Sequence, residues 1–375
     1  MRVLMTTDTV GGVWTFTKEL VGQFLNAGDS VALVSFGRDP SPEQRLWCTN
    51  VQQRYGHRFV YEPSPAPLEW MNENERAYEL GERELLDIAR RFKPDILHAN
   101  QYCFGRLPVD APRLITAHSD VLSWAGACRP AGLEDSPWLD RYCELVQEGL
   151  NDADCVVAPT AWMMASLKDH FDVSSPVRVV HNGRTLPRSA RPPNRSLRAI
   201  SVGRLWDEAK GLATLMQVNS PIPVMIAGEE SFDKAAAPAQ SRLQALGNLQ
   251  EDALFTCFRS SSIYIAASCY EPFGLAPLEA ALCGCAVVAR DIPSFREVWG
   301  DAAAYFRDSQ GLERLLAFFA EDGAALRQAQ IVAMQRARLY TAEDMADAYS
   351  QIYHGLIYGT TTNCCASEEY VSHAA

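Results

Sequence analysis

The stretch 270–284, YEPFGLAPLEAALCG, decides how the rest of this sequence is interpreted. The apolar run 263–267 that precedes it predicts a buried strand, and a turn containing Gly274 follows. We expect a short helix from about Pro277 to Gly284, because Pro favours the first turn of a helix and Gly its end. Backbone N–H groups at such a strand–turn–helix junction can bind an anion.

Two glutamates, Glu271 and Glu279, lie eight residues apart on either side of this helix start. Favourable placement near the positive end of a helix, worth about 0.3–1 kcal/mol, could explain Glu279 alone. Glu271 precedes Pro272 in a non-helical turn, where that explanation does not apply. The pair is compatible with two interpretations: the two carboxylates of a glycosidase, or two acceptors for substrate hydroxyl groups.

The composition limits the class of protein and of partner. A length of 375 residues with 47% hydrophobic and 21% charged residues indicates two globular domains. The formal net charge of −12 disfavours nucleic acid and anionic membranes as partners, because both attract basic surfaces. The eleven cysteines follow no zinc-ligand spacing, so we expect reduced thiols and no bound metal or other cofactor.

The sequence contains neither a signal-peptide pattern after Met1 nor an apolar run of about 18 residues or more. We therefore expect no transmembrane segment and a soluble, cytoplasmic protein. The oligomeric state cannot be predicted from these features.

Apolar runs alternate with helix-periodic segments along the chain, which predicts an α/β fold with parallel sheets. We expect strands at 2–7, 31–36, 95–98, 113–117, 155–158, 177–180, 197–202, 224–227, 243–246, 262–267, 286–289 and 303–306, and an extended segment at 51–61. We expect helices at 13–26, 67–92, 137–151, 161–171, 251–260, 312–319, 324–339 and 342–358.

The proline-bearing segment 184–196 has no apolar periodicity and is the predicted linker between two domains. The predicted N-terminal domain comprises residues 1–185 and the C-terminal domain residues 197–338. The polar tail 359–375 is predicted to be disordered. No GxGxxG sequence follows the first strand, so a dinucleotide-binding dehydrogenase is disfavoured.

Arg204 and Lys210 lie in the segment SVGRLWDEAKG, directly after a predicted strand. Two cations at the carboxyl end of a strand suit a diphosphate on which negative charge accumulates. The alternative is a pair of solvated surface charges.

Other candidates follow predicted strands of the N-terminal half. His118 ends an apolar strand, but His98 has the same position, so position alone does not assign either residue a function. Several aromatic residues near predicted strand ends could stack on an acceptor or pack in the core: Trp14, Tyr102, Phe104, Trp124 and Trp138.

Taken together, these motifs resemble family 4 glycosyltransferases of the GT-B fold over nearly the whole chain, from Arg2 to about Tyr358. The motifs that carry the resemblance occur in the family's order: Gly11-Gly12-Val13, Pro94-Asp95-Ile96-Leu97-His98, Thr116-Ala117-His118, His181-Asn182-Gly183, Gly203-Arg204 with Lys210-Gly211, Ala227-Gly228-Glu229, Leu246-Gly247, and the E-x7-E signature from Glu271 to Glu279. The sequence Glu229-Glu230-Ser231 departs from the family, which often has a second glycine there, so no base contacts are predicted beyond the neighbourhood of Gly247 to Leu249.

The resemblance implies two doubly wound Rossmann-like domains that face each other across a cleft, with the last helix, 342–358, crossing back to the N-terminal domain. It also implies a retaining hexosyltransferase that uses a nucleotide sugar, with UDP-glucose favoured, and a sugar or small-molecule hydroxyl as acceptor. Such enzymes need no metal, and the leaving diphosphate acts as the base in a front-face mechanism.

The resemblance implies a role for each matching residue. Arg204 and Lys210, preceded by Gly203, would hold the donor diphosphate. Glu271 and the backbone of Phe273, Gly274 and Leu275 would contact the donor sugar and phosphate, and Glu279 would bind the ribose hydroxyls. Gly12 would let the N-terminal loop close over the diphosphate, His118 would lie beside the donor sugar, and Trp14, Tyr102 and Trp124 would lie on the acceptor side. Two alternatives remain: a catalytically silent nucleotide-sugar-binding protein, and a glycoside phosphorylase or hydrolase with the same two-domain cleft.

Overall fold

The computed structural model describes residues 1–186, 195–228 and 243–359. In these ranges the chain forms two fully parallel sheets, of seven and six strands. The first contains β1 (Arg2–Asp8), β2 (Ser30–Phe36), β3 (Phe59–Pro63), β4 (Ile96–Ala99), β5 (Arg113–Thr116), β6 (Cys155–Ala158) and β7 (Val177–Val179). The second contains β8 (Ser196–Val202), β9 (Val224–Ala227), β10 (Leu243–Gly247), β11 (Ser261–Ala266), β12 (Ala286–Arg290) and β13 (Ala304–Phe306).

Helices connect the strands and cover both faces of each sheet. Those of the N-terminal half are α1 (Gly12–Asn26), α2 (Pro42–Tyr55), α3 (Ala77–Phe92), α4 (Val121–Cys128), α5 (Pro137–Asp152) and α6 (Ala161–Lys168). Those that follow are α7 (Leu212–Met216), α8 (Glu251–Ser260), α9 (Leu275–Leu282), α10 (Pro293–Trp299), α11 (Ser309–Glu321), α12 (Gly323–Ala337) and α13 (Ala342–Tyr358). No helix among the described residues is long and apolar enough to cross a membrane.

Coverage on both faces explains why the strands are continuous apolar runs rather than alternating ones. All four residues of β6 and all six of β11 are buried. The predicted α/β class with two doubly wound sheets is confirmed.

Each sheet has one switch point, where successive strands stop being added at one edge and begin to be added at the other. The first sheet has the order β3-β2-β1-β4-β5-β6-β7, so the crossovers diverge between β1 and β4. The second has the order β10-β9-β8-β11-β12-β13, and its crossovers diverge between β8 and β11. Open parallel sheets bind ligands beyond the carboxyl ends of the strands at such switch points. The loops after these four strands are therefore the places to look for a site.

Helix α13 packs against the N-terminal sheet, as the resemblance implied. The ring of Tyr349 stacks on His98 with centroids 5.1 Å apart, and the Tyr353 hydroxyl bonds His98 Nδ1. The other ring nitrogen of His98 lies 2.7 Å from Thr116 Oγ1. Burial, with a smaller contribution from His118, lowers the pKa of His98 to about 3. His98 is thus a neutral core residue that fixes α13 to the sheet.

The extended segment expected at 51–61 is wrong in its first half, because α2 continues to Tyr55. A capping box formed by Ser41 and Gln44, with Pro42 in the first turn, begins this helix. Among its residues only Cys48 is buried, so the helix lacks the apolar periodicity that would have revealed it.

The helix expected at 67–92 begins only at Ala77. The Asn74 side chain donates to the carbonyls of Glu69 (2.9 Å) and Trp138 (3.1 Å), which holds the preceding segment as a loop. The predicted linker 184–196 and tail 359–375 lie mostly outside the described residues, and Glu229-Glu230-Ser231 lies entirely outside them.

Candidate active site

The loops at the two switch points face each other across the cleft between the sheets. A Cβ atom built on Gly11 would lie 3.5 Å from Arg204 Nη1, in the loop after β8. A Cβ built on Gly12 would lie 3.6 Å from Leu275 Cδ1, at the start of α9. The glycine turn after β1 therefore approaches the C-terminal loops closely.

Two helices begin at this meeting point, one from each half of the chain. Helix α1 follows Gly11, whose φ is 76°, and α9 follows Gly274, whose φ is 93°. Both angles lie in the region that favours glycine. No described side chain caps either helix, so their first backbone N–H groups remain available. Two positive helix ends close to each other favour an anionic ligand between them.

Arg204 and Lys210 border the same place, and each is paired with one carboxylate. Arg204 Nη2 lies 2.7 Å from Asp207 Oδ2, and Lys210 Nζ lies 2.7 Å from Glu271 Oε2. The Arg204 side chain retains 34% of its exposure and Lys210 20%, so both can still contact a ligand. Gly203 makes room for Lys210: a Cβ at this position would lie 2.9 Å from the lysine Cγ.

Glu271 lies in the turn between β11 and α9. Besides Lys210, Ser268 donates its hydroxyl to the same Glu271 oxygen, Oε2, at 3.1 Å. Two donors thus orient one carboxylate oxygen, while no hydrogen bond from the described part of the chain reaches Oε1, which can accept one from a ligand hydroxyl. Gly274 allows the close turn, since a Cβ there would lie 2.9 Å from the Pro277 ring.

Glu279 is buried on α9 and accepts a hydrogen bond from Arg184 Nε at 2.7 Å. The other guanidinium nitrogens of Arg184 bond Glu19 on α1 and Glu251 on α8. Burial raises the pKa of Glu279, and the charge of Arg184 opposes that rise. Arg184 therefore joins both halves of the chain at the second glutamate of the signature.

His118 lies in the loop after β5 and bonds Asn100 in the loop after β4. Its Nε2 lies 2.7 Å from Asn100 Oδ1, while the Asn100 amide nitrogen donates to the Thr6 carbonyl at 2.6 Å. Burial lowers the pKa of His118 to about 3, so the ring is neutral. Because Oδ1 can only accept, Nε2 carries the proton. Nδ1 is then a hydrogen-bond acceptor for a ligand hydroxyl.

Two family models match consecutive parts of this chain. The model described as "Glycosyltransferase Family 4" matches residues 10–187, and the model described as "Glycosyl transferases group 1" matches residues 184–333. The chain belongs to the family 4 glycosyltransferases of the GT-B fold.

Curated relatives of this glycosyltransferase include two bacterial synthases. Glycogen synthase of Mycobacterium tuberculosis is 25% identical over 298 residues, which cover 72% of this chain and 70% of the relative. Alpha-maltose-1-phosphate synthase of Mycolicibacterium smegmatis is 26% identical over 224 residues, which cover 51% of this chain and 56% of the relative.

Solved structures share the fold of this glycosyltransferase over almost the full length. Sucrose-phosphate synthase of Thermosynechococcus elongatus aligns with a TM-score of 0.77 and 17% identity over 96% of this chain and all of that chain. Anabaena HepE in complex with UDP-glucose aligns with a TM-score of 0.69 and 16% identity over 95% of this chain and all of that chain. At these identities the likeness supports the fold.

The glycosyltransferase structure separates the three aromatic residues expected on the acceptor side. Trp14 is 7% exposed and packs edge-on against Trp47, and Tyr102 is 5% exposed with its hydroxyl donating to the Ser119 carbonyl. Both rings therefore lie in the N-terminal core. Trp124 is only partly buried, and its indole N–H donates to Asp207 Oδ1 at 3.2 Å across the cleft. Of the three, Trp124 lies beside the loop that carries Arg204.

Two further residues border the site without having been predicted there. Burial raises the pKa of Asp8, at the end of β1, to about 7, and the charge of Arg204 opposes that rise. Arg184 carries no recognisable sequence signal, because its partners lie 67, 95 and 165 residues away.

The Phe273 ring is buried, so only the backbone of this residue is left to contact a ligand.

Proposed function

We propose that this glycosyltransferase transfers a hexosyl group from a nucleotide sugar to an acceptor hydroxyl with retention of anomeric configuration. The proposal includes UDP-glucose as the favoured donor and a reaction that needs no bound metal. The residues that the cleft brings together are those that would bind the donor.

The observation that carries the proposal is the close approach of the Gly11-Gly12 turn to the loop that carries Arg204 and to the start of α9. Arg204, Lys210 and the uncapped starts of α1 and α9 come from both halves of the chain. Such groups stabilise a diphosphate most strongly when it becomes a leaving group, since its negative charge increases as the bond to the sugar breaks. We propose that they replace the charge that a metal ion supplies elsewhere.

Lys210 pairs with Glu271, and Arg204 pairs with Asp207. A diphosphate would share these cations with the two carboxylates. This pairing limits the cost of keeping two partly buried cations close together.

The chemical step needs no nucleophile from the protein. The bond between the sugar C1 and the phosphate oxygen breaks, and its electron pair remains on the diphosphate. The acceptor oxygen forms the new bond to C1 from the same face, and its proton passes to the departing phosphate oxygen. The protein residues hold the reacting groups and stabilise charge in this step.

Glu271 and His118 are proposed to hold the donor sugar. Glu271 Oε1 and the unprotonated Nδ1 of His118 are both acceptors, so each can receive a hydrogen bond from a sugar hydroxyl. Glu279 is proposed to bind the ribose hydroxyls through the oxygen that Arg184 does not occupy. UDP-glucose is proposed first because Anabaena HepE, a structural neighbour, was solved with that donor.

A panel of nucleotide sugars tests the proposal by release of the nucleoside diphosphate with and without candidate acceptors. Release that depends on one donor, is stimulated by an acceptor and survives a chelator is the expected result, and proton NMR of the product then reports the anomeric configuration. Inverted product, or activity that a chelator abolishes, would contradict the corresponding part.

The same panel separates the alternatives. Donor binding without release in the presence of every acceptor would indicate a silent binding protein. Cleavage of a glycoside that depends on inorganic phosphate and on no nucleotide would indicate a phosphorylase. The cytoplasmic location expected from the sequence remains a proposal, to be tested by fractionation of cells that produce the protein.

A further inference from the structure

Two cysteines from opposite halves of the chain meet at the edge of the cleft. Cys128 is the last residue of α4, and Cys269 lies in the turn between β11 and α9. Their sulfur atoms are 3.2 Å apart, although the residues are separated by 141 positions in the sequence. Both side chains are partly exposed, whereas Cys48, Cys103 and Cys155 are buried.

The pair belongs to a seam between α4 and the loop that carries the two cations. Next to it, Trp124 donates to Asp207, and the exposed Arg129 pairs with Glu208 at 3.3 Å. The backbone N–H of Cys269 donates to the Ala209 carbonyl at 2.8 Å, directly before Lys210. A covalent bond at this point would connect α4 to both loops that flank the proposed diphosphate site.

The sulfur atoms are already in contact, so bond formation needs only a small approach. A disulfide joins sulfur atoms at about 2.05 Å, which here means a movement of roughly 1 Å by two short side chains at the ends of their elements. Burial, the neighbouring Cys269 thiol and the carboxylates of Asp207 and Glu208 raise the pKa of Cys128. The thiolate form of a cysteine is the nucleophile in disulfide formation.

We propose that Cys128 and Cys269 form a reversible disulfide that holds the two halves of the protein in the closed arrangement. With a hydroperoxide as oxidant, one of the two thiols loses its proton and attacks a peroxide oxygen as the thiolate. This gives a sulfenic acid and, for hydrogen peroxide, a hydroxide that takes up the proton and leaves as water. The sulfur of the other cysteine then attacks the sulfenic sulfur and expels a second water molecule. Two thiols lose two electrons and two protons in total, and a dithiol reductant restores them by exchange.

The consequence for turnover rests on the proposed function. A diphosphate held by Arg204, Lys210 and the starts of α1 and α9 leaves the site after the sugar is transferred, and we expect its release to require separation of the loops from the two halves. A bond between α4 and the turn that precedes Glu271 opposes that separation. The oxidised protein should therefore release product slowly.

The cross-link is measured first, without any substrate. The full chain is treated with hydrogen peroxide or diamide, alkylated and digested, and the peptides are analysed by mass spectrometry. We expect a peptide that joins Cys128 to Cys269, absent in C128S, absent in C269S and present in the control C143S, which removes another partly exposed thiol. Failure of both oxidants to join these two residues in the folded protein would overturn the proposal.

The closed arrangement is measured by hydrogen exchange, again without substrate. Backbone N–H groups of α4 and of residues 204–211 should exchange at least about tenfold more slowly in the oxidised than in the reduced protein, and C128S should show no such change. Equal exchange in a cross-linked protein would show that the bond does not hold the seam closed.

Turnover is compared last, with the donor that the nucleotide-sugar panel identifies. Oxidation should lower the rate of the wild-type protein at least about tenfold, dithiothreitol should restore it, and C128S should keep its rate after the same treatment. A cross-linked protein with unchanged turnover would refute the regulatory role. If no donor were turned over, the proposed function would fail while the cross-link and exchange results would stand independently.

Discussion

Replacing Arg184 by Met would remove the cation shared by three glutamates at the junction of the two sheets. Arg184 contacts Glu19 from α1, Glu251 from α8 and Glu279 from α9, and only 4% of its side chain is exposed. Met has a similar length and no charge, so the substitution changes electrostatics more than volume.

The expected magnitude depends on how deeply each glutamate is buried. The side chains of Glu19 and Glu279 are 11% and 9% exposed, and Arg184 is the only ion-pair partner recorded for them among the described residues. Glu251 is 38% exposed and keeps Lys18 Nζ at 2.7 Å. Because removal of one partner from a buried pair costs about 3–5 kcal/mol, we expect R184M to lose about that much of its free energy of unfolding.

Arg129→Met is the matched control. It removes another arginine–glutamate pair between the two halves of the chain, with Glu208, but those side chains are 45% and 52% exposed. An exposed pair contributes at most about 1 kcal/mol. Urea denaturation followed by fluorescence measures both variants beside the wild-type protein.

The pH dependence gives a second measurement of the same effect. Burial raises the pKa of Glu279, and the charge of Arg184 opposes that rise. Removal of Arg184 should therefore raise the pKa of Glu279 further. A folded state whose carboxyl pKa is raised binds more protons than the unfolded state, and its stability is lost as the pH rises. The deficit of R184M relative to wild type should therefore shrink from about pH 8 to about pH 5. Equal stability of R184M and R129M, or a deficit that does not change with pH, would refute this account.

Three further predictions concern the site and the core. Replacing Arg204 or Lys210 by Ala should lower kcat by about 10²- to 10³-fold, because charge on the leaving diphosphate loses a stabilising cation; near-normal rates in steady-state assays would contradict the assigned roles. Gly12→Ala should leave the melting temperature unchanged, since the nearest atom of Leu275 is 3.6 Å from the new Cβ, but should weaken donor binding in a titration. Burial raises the pKa of Glu69 to about 7, so the folded protein loses stability as the pH rises towards that value. The free energy of unfolding of Glu69→Gln should therefore grow relative to that of the wild type by about 2.5 kcal/mol from about pH 5 to about pH 8. A constant difference between Glu69→Gln and wild type would contradict that pKa.

Local patterns predicted much of the fold. The helix expected from about Pro277 is observed as Leu275–Leu282, the helix 342–358 has the predicted bounds, and the helix 251–260 is also observed as expected. These elements combine apolar periodicity with clear end signals. Helix α2 was missed because a capping box defines its start while its surface is almost entirely polar.

The sequence predicted only those parts of the site whose residues lie close together along the chain. Glycine turns, strand ends and the spacing of Glu271 and Glu279 are visible in short windows of sequence, and they located the cleft loops. The burial of Trp14 and Tyr102 was not visible, because an aromatic residue at a strand end can turn towards the core or towards the cleft. Only packing decides between these two directions.

The sequence by itself determined the order of most strands and helices, the glycine turns that begin α1 and α9, and the positions of Arg204 and Lys210 after β8. Each of these depends on residues within about one turn or one strand of each other. The tertiary structure decided the contacts between distant residues: Arg184 with three glutamates, His118 with Asn100, and Cys128 with Cys269. Such contacts arise when two sheets pack across a cleft, and no local periodicity records which side chains will meet there.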